Sequence, residues 1–453
     1  MWTLSQAAAR VGGRIEGADP AFDSVGADSR RNCVGQLFVA LKGERFDAHQ
    51  FVAQAAASGA VAALVDHLVD TDIPQWVVED TRLALGRLAG AWREELGGRV
   101  IAVTGSNGKT TCKEMIAAVL SRAGAVLATR GNLNNDIGMP LTLLAARGED
   151  FLVLEMGANH PGEIAYLTDI ARPSVAIITN AGRAHLEGFG SVAGVARSKG
   201  EITRGLLPDG TLIIPSDSPF TGLWRDLAAG HRVLTCGLDA GADVRTPADG
   251  VTTTWDDRGF RTCFDVSYGE VDMALELPLA GMHNVRNALL AVAAAFALGI
   301  APEAAQSGIG ALEPVAGRLQ PRGASNGVRV IDDSYNANPD SLQAAIEVLT
   351  GLPGRHWLVL GDLAELGPDA ESLHREMGAA ARTAGVDALH AVGELSAAAV
   401  SGFGKGGRHF EHQEQLIAAL REHLGPGDLV LVKGSRRAAM DRVADALCAG
   451  GGA

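Results

Sequence analysis

The sequence predicts an α/β protein built as three successive units. Three observations lead there. The chain has 453 residues, which at roughly 150 residues per domain corresponds to about three domains. Short aliphatic and β-branched runs alternate with helix-forming stretches, the pattern of parallel sheets joined by crossover helices. Punctuation at Gly97-Gly98 and a change of pattern near Gly317 set the units at 1–96, 97–315 and 316–453.

In the first unit, Gln36–Leu41 and Ala62–Val65 read as strands, with an Ala-rich helix over Phe51–Ser58 between them. The second unit begins with the buried strand Val100–Val103. Similar runs follow at Phe151–Leu154, Val175–Ile178 and Leu212–Ile214, most of them separated by helical segments. The stretch from Ala242 to Leu277 alternates polar and apolar residues between turn signals, which predicts added antiparallel strands. A long helix is expected from about Asn284 to Leu298. In the third unit, Val328–Ile331, Trp357–Leu360 and Leu429–Val432 are strand-like. Ser341–Leu349, Glu371–Ala384, Glu414–Leu424 and Ala438–Leu447 are helix-like, so this is another α/β unit.

Composition narrows the function. The net charge of −14 argues against general nucleic-acid binding, which calls for a basic face. It does not exclude an anionic ligand, because local loops decide that. Cys33, Cys112, Cys236, Cys263 and Cys448 are dispersed and show no C-x-x-C spacing, so reduced thiols and no zinc site are expected. The N-terminus has neither the basic start nor the apolar stretch of a signal peptide. The longest apolar run, Ala288–Ile300, is too short to span a bilayer, and no integral membrane segment is expected.

The sharpest chemical signal is Thr104-Gly105-Ser106-Asn107-Gly108-Lys109-Thr110-Thr111. It lies between the strand ending at Val103 and a helix-forming stretch, Cys112–Ser121. Two glycines let the backbone aim several N–H groups at a polyphosphate. The helix N-terminus adds partial positive charge. Lys109 can reach the outer phosphates, and the Thr110 hydroxyl is placed for Mg²⁺. The generic loop is G-x-x-x-x-G-K-[ST]. Val103 stands where its first glycine would be, so this is a shortened variant.

At this loop the sequence resembles the Mur ligase family, whose signature is T-G-[ST]-x-G-K-T-T. Further matches run in order from Asp28 to Arg436. They include Thr129–Gly138 with its N-L-N-N loop, Glu155–Ala158, Asn180–Glu187, Lys199–Ile202, His283–Ala288, Asp333–Pro339 and Lys433–Arg436. The family implies three domains: a UDP-substrate domain, a central ATPase domain and a C-terminal Rossmann-like domain. It is cytoplasmic and acts in peptidoglycan synthesis. The D-S-Y-N-A-N-P run and the N-L-N-N loop resemble the member that adds D-Ala-D-Ala to a UDP-MurNAc-tripeptide. ATP would phosphorylate the tripeptide carboxylate, and the amine would then displace phosphate. The implied cofactors are ATP and Mg²⁺. The chain is expected to act as a monomer, without nucleic acid. The third residue of the tripeptide is left open between meso-diaminopimelate and lysine.

The resemblance assigns roles residue by residue. Lys109, Lys199, His185 and Arg318 would form the catalytic set, with Arg318 reaching the γ-phosphate on domain closure. Gly105, Ser106, Asn107, Gly108, Lys109, Thr110 and Thr111 would hold the phosphates. Asn284 and Asn287 share a helix face and would meet adenine, although Asn284 also reads as a helix cap. Asp333, Tyr335 and Asn336 would meet ribose and base. Thr110, Glu155, His185 and Lys199 would serve the metal. For His185 a purely hydrogen-bonding role stays open, since Mg²⁺ prefers oxygen. Lys199 is either carbamylated by CO₂ or an unmodified lysine pairing with phosphate or Glu201. Ser29, Arg30 and Lys42, near Asp47 and His49, would bind the uridine diphosphate. Asn134 and Asn135 would bind the sugar-peptide, and Lys433, Ser435 and Arg436 the D-Ala-D-Ala.

Two other readings remain: a folylpolyglutamate-type ligase with a different amine, and a non-catalytic nucleotide-sensing module. The D-S-Y-N-A-N-P run disfavours the first. Lys109, Thr110, Glu155, His185 and Lys199 together disfavour the second, because a sensor needs no such metal set.

Overall fold

A computed structural model describes residues 1–43, 46–183, 186–256, 259–324 and 326–449. Three main sheets succeed one another along the chain, each with helices packed on it. The first has five strands. Ser24–Gly26, Gln36–Val39, Ala62–Val65 and Gln75–Val77 are parallel, and Arg14–Glu16 is antiparallel at one edge. The Ala-rich helix is shorter than expected, Val52–Ala57, because a 3₁₀ turn over Ala48–Phe51 precedes it.

The helix Thr81–Glu95 leads into the second unit. Asp80 caps it, accepting from the Arg82 and Leu83 N–H groups. Its Leu85 and Leu88 share one core with Met139 and Leu143 of the helix Gly138–Leu144. Each buried leucine of this kind contributes about 1.5–3 kcal/mol, so this shared core ties the first unit to the second.

The central sheet has ten strands. Its parallel part runs Val126–Ala128, Phe151–Glu155, Arg99–Thr104, Val175–Ile178, Thr211–Pro215, Arg232–Gly237 and Val244–Arg245. Thr252–Asp256, Gly259–Tyr268 and Val271–Leu277 add the expected antiparallel portion. Arg99–Thr104 comes first in the sequence but lies between Phe151–Glu155 and Val175–Ile178. That makes it the reversal point of the strand order, where open α/β sheets bind ligands at the carboxyl ends of their strands. Register brings Glu155 level with Val103 and Ile178 level with Thr104, so three strands end together.

The helix after the loop starts at Lys109, not Cys112, which puts Lys109 and Thr110 in its first turn. Its buried Cys112, Met115, Ile116 and Val119 follow helical spacing. They share a core with the helix Met282–Ala297, which is apolar nearly all round because sheet and helices enclose it. No helix among the described residues is long and apolar enough to cross a membrane.

The third sheet has six strands in the order Gln320–Gly323, Arg329–Asp333, Asp428–Lys433, Arg355–Gly361, Ala388–Val392 and Gly407–Phe410. All pairs are parallel except the first. The helix expected over Ala438–Leu447 is interrupted. A 3₁₀ turn over Arg436–Ala438 ends at Ala439, whose φ of 47° lies in the left-handed region, and Asp441–Cys448 follows as a separate helix. All five cysteines are free thiols.

Candidate active site

The carboxyl ends of the central strands open onto a cleft of about 1110 Å³ lined by residues of all three units. The loop Gly105–Gly108 forms its floor. Gly105 has φ 146°, and a Cβ there would stand 1.9 Å from the Thr179 hydroxyl. Gly108 has φ 79°, and a Cβ there would stand 2.7 Å from Asn287 Oδ1. Both positions therefore demand glycine by conformation and by space.

Neighbouring strands hold the loop between the glycines. Asn180 Oδ1 accepts from the Asn107 N–H at 2.9 Å, while Thr179 Oγ1 and Asn180 Nδ2 donate to the Asn107 carbonyl at 2.6 and 3.0 Å. Ser106 Oγ accepts from the Gly182 N–H at 3.0 Å. Lys109 folds over the loop and donates to the Gly105 and Ser106 carbonyls at 2.7 and 3.2 Å. Lys109 is partly buried and lines the cleft. Burial lowers its pKa, Arg318 lowers it further, and Glu155 opposes the shift.

A chain of hydrogen bonds crosses the cleft beside this lysine. The Thr110 hydroxyl donates to Glu155 Oε2 at 2.9 Å and accepts from Arg318 Nη2 at 3.0 Å. The other Glu155 oxygen accepts from Asn134 Nδ2 at 2.8 Å. Glu155 is 2% exposed. Four predicted residues from four separate segments thus meet at one point. Asn135 does not join them; its side chain accepts from the Gly138 N–H at 2.9 Å and fixes the loop.

Lys199 is 2% exposed, with its ammonium 5.3 Å from the centre of the Phe189 ring. Burial and the nearby Lys109 bring its pKa down to about 7, against the pull of Glu201 and Glu163. Glu201 is engaged elsewhere. Its carboxylate accepts from the Gly162 N–H at 2.9 and 3.0 Å and from the Ala165 N–H at 3.2 Å, at the start of the helix Glu163–Ala171. His185 lies outside the described residues.

Asn284 and Asn287 are both buried beside the loop. Gly281, not Asn284, occupies the cap of their helix, and the Asn284 amide donates to the Ala280 carbonyl at 2.8 Å. Thr111 lines the cleft beyond Thr110.

The third unit closes one side of the cleft. Arg318 lies over the Tyr335 ring, 4.3 Å from its centre, and its buried Nε has no hydrogen-bond partner among the described residues. Asn338 Nδ2 donates to Asn107 Oδ1 at 2.7 Å, and Arg183 binds Asp340 through its backbone N–H at 2.6 Å and its Nε at 2.8 Å. Asp333 takes Lys433 on one oxygen and the Leu319 N–H on the other, and burial raises its pKa. Lys433 also donates to the Asn336 carbonyl at 3.0 Å, so this lysine joins the Asp333–Asn336 group. Ser435 is buried, and Arg436 is exposed with its guanidinium 5.8 Å from the Tyr335 ring. Neither lines the cleft.

The first unit's predicted set is not gathered in the same way. The Arg30 side chain is 83% exposed and pairs with Asp28. Ser29 donates to Gln54 at 3.4 Å, and Lys42 is exposed on a two-residue strand. His49 is saturated within its unit: Nδ1 lies 2.6 Å from Asp47 Oδ1, and Nε2 accepts from the Asp66 N–H at 3.1 Å. None of Ser29, Arg30 and Lys42 lines the cleft.

Sequence reasoning missed several residues. Thr179 and Asn180 brace the loop; Thr179 carries no motif, and Asn180 opens the matched Asn180–Glu187 run but was assigned no role. Asn338 and Asp340 sit within or just beyond the D-S-Y-N-A-N-P run, which was the available signal. His283 lines the cleft, and burial together with nearby Lys433 brings its pKa down to about 4, which keeps it neutral near pH 7. Arg82 and Asp136 also line the cleft; nothing in its local sequence marked Arg82, and Asp136 lies in the matched Thr129–Gly138 run without an assigned role.

The chain matches known proteins along nearly its whole length. Residues 21–93 match the catalytic domain of the Mur ligase family, residues 103–295 the Mur ligase middle domain, and residues 317–436 the Mur ligase glutamate ligase domain. The chain is 44% identical over 448 residues to the UDP-N-acetylmuramoyl-tripeptide–D-alanyl-D-alanine ligase of Escherichia coli strain K12, covering 98% of each. It is similar to a crystal structure of MurF from Acinetobacter baumannii, with a TM-score of 0.91, 39% identity and 99% of both chains covered. The MurF ligase of Thermotoga maritima in complex with ADP is matched with a TM-score of 0.84 and 29% identity, over 94% of this chain and 96% of that one.

Proposed function

We infer the reaction from one premise: the chain belongs to the Mur ligase family. It is an ATP-dependent ligase that joins D-alanyl-D-alanine to UDP-N-acetylmuramoyl-tripeptide, giving the UDP-MurNAc-pentapeptide of peptidoglycan synthesis. We place this reaction in the cytoplasm and assign it to a monomer.

The observation that supports the residue roles best is the line Arg318–Thr110–Glu155–Asn134 beside Lys109. It gathers the phosphate loop, the substrate loop and the third unit around one point. In the first step a carboxylate oxygen of the tripeptide attacks the γ-phosphorus of ATP, and ADP leaves. Lys109 and the loop N–H groups hold the transferring phosphoryl group, and Arg318 meets its growing charge from the other side. In the second step the neutral amine of D-Ala-D-Ala attacks the acyl carbon, phosphate departs with the electron pair of the broken C–O bond, and the nitrogen's extra proton leaves to solvent or to the phosphate.

The residues present fit Mg²⁺. Glu155 offers a buried carboxylate and Thr110 a hydroxyl, an oxygen set suited to a hard cation. When bound, Mg²⁺ supplies positive charge to the phosphoryl oxygens. Lys199 supplies a second oxyanion if its amine adds to CO₂: an N–C bond forms, a proton leaves to solvent, and a carbamate results. A pKa of about 7 leaves a large fraction of this amine neutral at physiological pH, as that addition requires. With Glu201 held by the helix start, an ion pair between it and Lys199 is the weaker reading.

Asn284 and Asn287 would face adenine, and Asp333, Tyr335 and Asn336 the ribose and base. Lys433 is held by Asp333, so Arg436 is the better candidate for the D-Ala-D-Ala carboxylate. Closure of the third unit over the cleft would exclude water from the acyl phosphate.

The test is phosphate release measured with each substrate omitted in turn. Release that requires ATP, UDP-tripeptide and D-Ala-D-Ala together is expected. Nucleotide binding without such turnover would sink the reading.

A further inference from the structure

The third unit meets the phosphate loop through the start of one helix. Asn338 caps the helix Pro339–Thr350, and Asp340 stands in its first turn. The two ends of the Asn338 amide serve different partners. Oδ1 accepts from the Ser341 N–H at 2.9 Å inside the cap, and Nδ2 donates to Asn107 Oδ1 in the loop. Both Asp340 oxygens serve Arg183: Oδ2 takes its backbone N–H and Oδ1 its Nε.

Arg183 ends the stretch that braces the loop. Asn180 holds the Asn107 backbone by both its N–H and its carbonyl. Gly182 then donates its N–H to Ser106 Oγ, and Arg183 donates the next N–H to Asp340. Successive peptide groups thus join the loop on one side and the third unit on the other. The fit is close, since a Cβ at Gly182 would stand 2.4 Å from Asp340 Oδ2. A carboxylate in a first helical turn is favoured by the helix dipole, and one that accepts from a guanidinium and an N–H together is held in a single orientation. Asp340 can make this clasp only where the third unit brings its helix start to the loop.

We propose that Asp340 and Arg183 are positioning residues for phosphoryl transfer: their clasp fixes the Asn180–Arg183 brace, and through it the phosphate loop, when the third unit is docked. The proposal rests on the ligase reading above. Both residues act through Ser106 and Asn107, not on the reacting atoms. Arg183 does not line the cleft, so any effect it has on ATP must travel through the clasp.

The experiment measures ATP binding by titration calorimetry, and steady-state kinetics, in the wild type, Asp340→Ala, Arg183→Met and the double variant, with a thermal melt as folding control. Asp340→Ala is expected to raise the Kd for ATP and lower kcat/KM for ATP by about tenfold, the worth of a charge-assisted hydrogen bond. Arg183→Met keeps the backbone bond to Asp340 and loses about threefold, in line with a partly exposed ion pair. The double variant is no worse than Asp340→Ala, because both changes remove one clasp. Arg183→Lys returns part of the loss, and KM for the UDP-tripeptide stays where it is. A pair that only stiffens the fold would lower the melting temperature and leave ATP binding unmoved, which would overturn the proposal. Additive losses in the double variant, or wild-type ATP binding in Arg183→Met, overturn it too. Calorimetry needs no turnover, so a wild type that binds ATP without forming product would sink the ligase reading while the titrations still decide the clasp.

Discussion

The loop after Arg99–Thr104 and the polar residues of the first unit were both expected to bind phosphates, yet they are built differently. In the central unit the expected groups are mainly backbone N–H donors, and the loop that carries them is fixed by Gly105, Gly108 and the neighbouring Thr179, Asn180 and Asn287. In the first unit the expected groups are side chains. Arg30 extends into solvent beside Asp28, and Lys42 is exposed. The loop is braced by the protein itself, whereas the first unit's side chains would be ordered by a ligand. A preorganised site puts its binding energy into the transition state, and an unordered one must offset the entropy of fixing long side chains.

The largest effect expected from this contrast falls on the central loop. Lys109→Ala should cost about 3 kcal/mol or more in transition-state stabilisation, a loss of a hundredfold or more in kcat/KM. Gly105→Ala should be comparably damaging, because its Cβ meets the Thr179 hydroxyl and its φ of 146° disfavours any side chain. Steady-state kinetics with a thermal melt as folding control checks both. Near-normal kcat/KM in Lys109→Ala would refute its role and remove the basis of the contrast.

A smaller and more conditional effect concerns Lys199. Its pKa, lowered to about 7, lies below that of a free lysine, so the amine is neutral above that pH and an ammonium below it. Only the amine adds CO₂. Activity in CO₂-depleted buffer should therefore fall as pH drops through about 7, and bicarbonate at pH 8 should restore it. Lys199→Ala should lose activity that added short carboxylates partly return. Absence of both the bicarbonate effect and the rescue would leave Lys199 as an unmodified cation.

These differences also explain what was legible in the sequence. The phosphate loop could be read because a strand, two glycines, a lysine and a helix start admit few other structures. The main parallel strands were equally plain, since Val100–Val103 and Val175–Ile178 are buried on both faces and therefore uninterrupted by polar residues. Strands such as Val126–Ala128 and Gln75–Val77 were not, being three residues long, the first only half-buried and the second opening on a glutamine. The helix start at Lys109 was placed three residues late, because polar first-turn residues carry no apolar periodicity. Arg82 carried no signal, and Asp136, Asn180 and Asp340, in or beside matched runs, were given no role, for a different reason. Each acts through a partner remote in sequence, and local pattern carries no record of that partner.

The smallest expected effect tests the weaker side of the contrast. If Arg30 grips the diphosphate of the UDP substrate, it does so equally in the ground state and the transition state, because the diphosphate lies far from the reacting carboxylate. Removing uniform binding raises KM and leaves kcat alone. Arg30→Ala should therefore raise KM for the UDP-tripeptide, leave the KM values for ATP and D-Ala-D-Ala where they are, and fall well short of the loss in Lys109→Ala. Salt should mimic the mutation, since an exposed guanidinium is screened by ions. A KM for the UDP-tripeptide that neither the substitution nor salt moves would reduce Arg30 to a partner of Asp28, and the diphosphate would then need another anchor.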